Sequence, residues 1–202
     1  MLLRLMFILK CTFVFLGAFF YFALTSIADS QGGPKDGVVL IIRHAEKPDA
    51  GPDLSPAGQQ RSLAYSDYFQ KFTVDSEALS PDVIFAAKDS PTSKRPRLTV
   101  EQFAKAANLK IDTRFRSDEG VELAAALWAL PPGRRVLICW RHTDIPKLLR
   151  ALGAKPKRIL PNGKWPDPIF DWILVLRFDQ DGRLIPDSAR RIEEHLMPGD
   201  SQ

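Results

Sequence analysis

Residues 38–43, VVLIIR, form an unbroken apolar run that ends in a charge. A half-buried strand alternates apolar and polar residues, because successive side chains leave opposite faces of a sheet. An unbroken run of this length instead describes a strand covered on both faces, as in a parallel sheet enclosed by helices. That need for a layer on each side restricts the chain more than any other feature. The remaining pattern meets it. Strands are expected over 82–88 (DVIFAAK), 134–140 (RRVLICW) and 170–179 (FDWILVLRFD), with a short one in KIDTRF (110–115). Helical patterns alternate with them. The first runs over 54–72, with Ser55 as N-cap and Pro56 in the first turn. The others are 97–109, 119–130 (stopped by Pro131-Pro132-Gly133) and 144–153 (ended by Gly153). Leu63, Tyr68 and Phe72 are expected on the apolar face of the first helix, and Leu98, Phe103 and Ala106 on that of the second. This alternation predicts a three-layer α/β/α sandwich around a mainly parallel sheet.

The first 28 residues stand outside this pattern. Arg4 and Lys10 precede CTFVFLGAFFYFALTSIA (11–28), which carries no charge and ends in small residues, Ser26 and Ala28. A charged start, an apolar stretch and small residues read as a signal peptide. An uncleaved N-terminal membrane anchor through residues 11–28 is the alternative, since about 20 apolar residues span a bilayer. Either reading puts the body outside the cytoplasm: periplasmic, secreted, or anchored to the membrane. Residues 29–36 read as a Gly/Pro-rich linker, and 37–200 as one domain. Without Arg4 and Lys10 the chain holds 26 basic against 24 acidic residues, too small a surplus for a nucleic-acid footprint. Cys139 lies in an apolar strand and reads as core packing.

Ligands of open α/β sheets bind beyond the carboxyl ends of the strands. Arg43-His44 and Arg141-His142 each close a strand there, and they account for two of the chain's three histidines. No His-x-x-x-His or Cys/His spacing accompanies them, and adjacent arginines repel a dication, so neither a metal nor another cofactor is expected. A phosphoryl group suits these residues better. Its oxygens match guanidinium forks. A neutral imidazole can attack phosphorus and form a covalent phosphohistidine.

IIRHAEKP (41–48) is similar to the Arg-His signature of the histidine phosphatase superfamily, the phosphoglycerate-mutase-like proteins. LSPAGQQRS (54–62), SPTSKRPRLTVEQFA (90–104) and VLICWRH (136–142) resemble later segments of that family, in the family's order. WPDPIFDWILVLRFD (165–179) and HLMPGD (195–200) resemble a small bacterial branch of it. The resemblance implies a phosphoglycerate-mutase-like fold and metal-independent hydrolysis of a phosphomonoester through a phosphohistidine on His44. It implies that Arg43 and Arg95 hold phosphoryl oxygens, with Arg141 a further phosphate-binding cation. His142 would add a hydrogen bond and positive charge. The spacing from Ser90 to Arg95 is one residue longer than the family's, which leaves Arg97 as an alternative.

The general acid is expected from Asp144 first and Glu119 second, with Glu46 also near the nucleophile. Thr143 stands directly after His142, where family members carry aspartate. His195 reads as structural or exposed. A small phosphorylated substrate or an envelope phosphate is expected as partner. Two other readings are a non-catalytic phospho-ligand binding protein and a phosphoglycerate-mutase-type phosphotransferase. The loop 154–168 carries Lys155, Lys157, Arg158 and Lys164 around Trp165 and reads as a solvated basic loop, with an anionic substrate or a membrane surface as the alternative.

Overall fold

A computed structural model of the chain describes residues 32–200. The leader and its anchor alternative lie outside these residues. Among the described residues, no helix is long and apolar enough to cross a membrane.

Strand β1 (Val38–Arg43) is buried along all six residues. The two core clusters explain why none of the first five is polar. Val39 and Ile41 pack on one side of the sheet, with Leu123, Leu127 and Leu148. Leu40 and Ile42 pack on the other, with Tyr65, Phe69 and Phe103. Each such side chain contributes about 1.5–3 kcal/mol when fully buried, so both faces of β1 must be covered. Helices α1 (Pro56–Gln70) and α2 (Arg95–Ala106) cover the second face, and α3 (Gly120–Trp128) and α4 (Ile145–Ala151) the first.

The sheet is completed by β4 (Val83–Ala86), β5 (Ile111–Asp112), β6 (Arg135–Trp140), β7 (Trp172–Arg177) and β8 (Arg190–Glu193), in the order β5-β4-β6-β1-β7-β8. β5, β4, β6 and β1 run parallel, whereas β7 is antiparallel to β1 and β8 to β7. The expected three-layer, mainly parallel architecture is the observed one. β8 was not foreseen, because RRIE at a sheet edge has no apolar run. A small hairpin of β2 (Thr73–Val74) and β3 (Glu77–Ala78), and the short α5 (Pro156–Ile159), were likewise unforeseen.

Two helix faces differ from expectation. Ser55 caps α1 by accepting the Gly58 N–H at 3.1 Å, as its sequence indicates. Tyr68 and Phe72 pack on the core as expected, but the residues buried within α1 are Gly58, Arg61, Ser62, Tyr65 and Phe69, and Leu63 is half exposed. A buried arginine on the core side of α1 inverts the usual reading of apolarity. In α2 the buried residues are Pro96, Thr99, Val100, Phe103 and Ala104, so Ala106 faces outward. Part of the segment read as a linker is packed against the domain. Gly33 donates to Gly182 O at 2.9 Å, and a Cβ on Gly33 would meet the Phe178 ring at 2.6 Å.

Register places the site. Arg43 of β1 pairs with Trp140 of β6, so both Arg-His pairs emerge at the same edge of neighbouring strands. The His44 N–H continues the ladder to Trp140 O at 3.2 Å.

Candidate active site

His44 is buried just past β1, and its Nδ1 lies 2.8 Å from the Ala45 carbonyl. A carbonyl only accepts, so Nδ1 carries the proton and Nε2 keeps its lone pair. Burial holds the imidazole down to about 4; the Ala45 bond opposes this, while Arg43, Arg95 and His142 add to it. The ring is therefore neutral at ordinary pH. It lines a cleft of about 660 Å³ together with Lys88, Arg95, Arg141, Asp118 and Asp144.

Thr99 holds this loop to α2. Its hydroxyl accepts the Ala45 N–H and donates to the Arg95 carbonyl, each at 2.8 Å. The same helix brings Arg95 to the cleft. Arg95 donates to Gly51 O at 3.0 Å and Thr92 O at 3.3 Å, and burial and neighbouring Arg141 lower its pKa. Arg97 points elsewhere, pairing with Asp89 at 2.9 Å and Glu101 at 3.3 Å. Of the two alternatives left by spacing, Arg95 is the one beside His44.

Arg43 is buried and lies 3.9 Å over the Phe170 ring. Desolvation lowers its pKa to about 10, so it stays charged. Its Nη1 is committed to three carbonyls of the loop before β7: Asp167 at 2.7 Å, Ile169 at 2.8 Å and Pro166 at 3.3 Å. Its Nη2 meets His142 Nδ1 at 3.3 Å. The Nε atoms of Arg43 and Arg95 are buried and have no acceptor.

His142 sits with its ring centre 6.2 Å from that of His44. Arginine only donates, so His142 Nδ1 accepts from Arg43 and Nε2–H donates to Asp167 Oδ1 at 2.7 Å. Burial and Arg43 lower the His142 pKa, against the opposing effect of Asp167. Asp167 was not foreseen in the site. Its only signal was the WPDP sequence, in which two prolines restrict the backbone around one carboxylate.

The acid candidates separate. Asp144 lines the cleft with His44. Glu119 instead accepts the Arg116 backbone N–H at 2.8 Å, and its neighbour Asp118 reaches the cleft, paired with Arg116 at 2.9 Å. Glu46 pairs with buried Arg61 at 2.8 Å, within a network that includes Glu194, Asp200 and Tyr65. His195 is exposed, 3.8 Å from Glu193. Cys139 is buried, and burial pushes its thiol up.

No family model and no curated protein matches the sequence. Solved structures do match. One described as the phosphohistidine phosphatase SixA from Agrobacterium tumefaciens superposes with a TM-score of 0.50 at 21% identity, over 77% of this chain and 96% of that one. The protein histidine phosphatase SixA complexed with tungstate gives 0.52 at 16%, over 78% and 97%. Phosphoglycerate mutase from Plasmodium falciparum gives 0.50 at 14%, over 82% and 96%. These structural neighbours are histidine phosphatase superfamily members, and the fold of this chain is the phosphoglycerate-mutase-like fold.

Proposed function

We propose that this protein is a metal-independent phosphatase that hydrolyses a phosphomonoester through a phosphohistidine on His44. The observation that carries the reading is the 2.8 Å bond from His44 Nδ1 to the Ala45 carbonyl, which leaves a neutral Nε2 lone pair in a cleft lined with cations. The substrate phosphoryl group lies among Arg95, Arg141 and His44. An oxyanion there also offers an acceptor to the Arg95 Nε–H, whose burial without a partner is otherwise costly.

His44 Nε2 attacks phosphorus in line, and the bond from phosphorus to the leaving oxygen breaks. Asp144, in its acid form, gives that oxygen its proton. The Asp144 carboxylate then takes a proton from water as the water attacks the phosphohistidine. Inorganic phosphate leaves and His44 Nε2 regains its lone pair. The guanidinium groups stabilise charge on the equatorial oxygens throughout. The leader pattern of residues 1–28 supports a location of this activity outside the cytoplasm.

A second reading, a phospho-ligand binding protein without turnover, is favoured by one contact. The Asp167 carboxylate holds the His142 N–H that would otherwise meet phosphate. Turnover of p-nitrophenyl phosphate in EDTA decides between them. The phosphatase reading expects activity that His44→Ala abolishes, and an acid-labile phosphate on the wild-type chain after rapid quench. Phosphate binding without turnover would establish the binder.

A further inference from the structure

We propose that the large cleft on the far side of His142 is the leaving-group site, and that it takes a bulky phosphomonoester carrying a second anionic group. This rests on the phosphatase reading for the reaction but on separate residues for the ligand. The cleft encloses about 890 Å³, within the range of small-molecule sites. It adjoins the reacting centre, because His142 and Asp167 line it and the His142 ring lies 6.2 Å from His44.

Its charge is distinctive. Arg150, Lys155, Lys157 and Lys164 line it, and among the described residues none of the four has a carboxylate within ion-pair distance. Other surface cations are paired, as Arg114 with Asp112 at 2.8 Å, Arg177 with Glu77 at 2.7 Å and Arg183 with Asp181 at 2.8 Å. Four unpaired cations around one concavity repel each other and favour an anionic occupant. The one carboxylate at the mouth, Asp167, is already engaged by His142.

Part of the lining is apolar, and its largest member is fixed. Trp165 is buried, its ring centre 5.5 Å from that of Trp172, and its Nε1–H donates to Ile169 O at 2.8 Å. Pro146, Ala154 and Pro156 line the same cleft. An apolar wall with a basic rim suits an organic body bearing a charge away from the scissile phosphate. A small metabolite with a single phosphate leaves the rim unused.

The test compares adenosine 3′,5′-bisphosphate with adenosine 5′-monophosphate by calorimetry on the full chain in detergent, every variant carrying His44→Ala so that binding is read without turnover. The bisphosphate is expected to bind about ten-fold more tightly, the worth of one additional charge-assisted contact. The triple variant Lys155→Gln, Lys157→Gln, Lys164→Gln is expected to lose that preference, whereas Lys71→Gln with Lys105→Gln keeps it. Equal affinities in the His44→Ala chain, binding of neither ligand, or an unchanged preference in the triple variant would overturn the proposal. Failure of the phosphatase reading shows separately, as absent turnover of p-nitrophenyl phosphate with the bisphosphate preference intact.

Discussion

Thr99 Oγ1 accepts the Ala45 N–H at 2.8 Å, so a fully buried hydroxyl on α2 fixes the residue that follows the candidate nucleophile. The same hydroxyl donates to Arg95 O, which ties the first turn of α2 to the His44 loop. Thr99→Val keeps the shape and removes both bonds. A buried N–H left without its partner costs about 1–3 kcal/mol. The expected result is a loss of that size in denaturant unfolding, with a fall in kcat that Thr99→Ser largely restores.

Asp167 occupies the His142 Nε2–H at 2.7 Å, yet its side chain is 89% exposed. An incoming phosphate competes with this carboxylate for the same donor, and the exposed side chain can turn away at little cost. Asp167→Ala is therefore expected to tighten inhibition by inorganic phosphate several-fold, by about 1 kcal/mol for one freed hydrogen bond. Phosphate competition against p-nitrophenyl phosphate measures it. Unchanged or weaker inhibition would show that Asp167 orients His142 instead.

Behind the site, Arg61 is 2% exposed and joins Glu46, Glu194 and Asp200. Asp200 in turn accepts the N–H groups of Leu196 at 2.9 Å and Met197 at 2.8 Å. The cation thus links the loop two residues after His44 to the C-terminal turn. Arg61→Met strands the Asp200 carboxylate and strips Glu46 and Glu194 of their cationic partner, and is expected to destabilise the fold by about 3–5 kcal/mol. Thermal or urea unfolding gives the figure. A near-neutral outcome would mean that the carboxylates are neutralised without Arg61.

Two buried groups give stability opposite pH slopes. Burial pushes Glu194 up to about 8, above its ordinary 4.5, so the folded state holds a proton that the unfolded chain releases. Its contribution is full below 4.5 and is lost as pH rises through about 8. His44, depressed to about 4 from 6.5, contributes fully above 6.5 and loses stability as pH falls through about 4. Glu194→Gln, which still accepts from Tyr65, is expected to flatten the alkaline decline in Tm and leave the acid decline in place. An unaltered alkaline decline would place that titration elsewhere.

The main strands and helices and the two Arg-His pairs were legible in the sequence because they are local. VVLIIR and RVLICW are buried on both faces, and a strand with two apolar faces writes itself as a continuous run. Their Arg-His endings share an edge because parallel neighbours end on the same side. The Ser55 cap and the Gly153 stop, at φ +81°, follow from single-residue preferences. What tertiary structure alone decided is everything that joins distant segments. The direction of β7 leaves no mark on its apolar run, since parallel and antiparallel strands bury the same residues. The inward turn of Arg61 and the outward turn of Leu63 depend on carboxylates that arrive from Glu46, Glu194 and Asp200. The choice of Arg95 over Arg97, of Asp144 over Glu119 at the cleft, and of Asp167 as the partner of His142 was made the same way. Each is a contact across the fold, and the energy of such a contact belongs to a pair that the linear order of residues does not bring together.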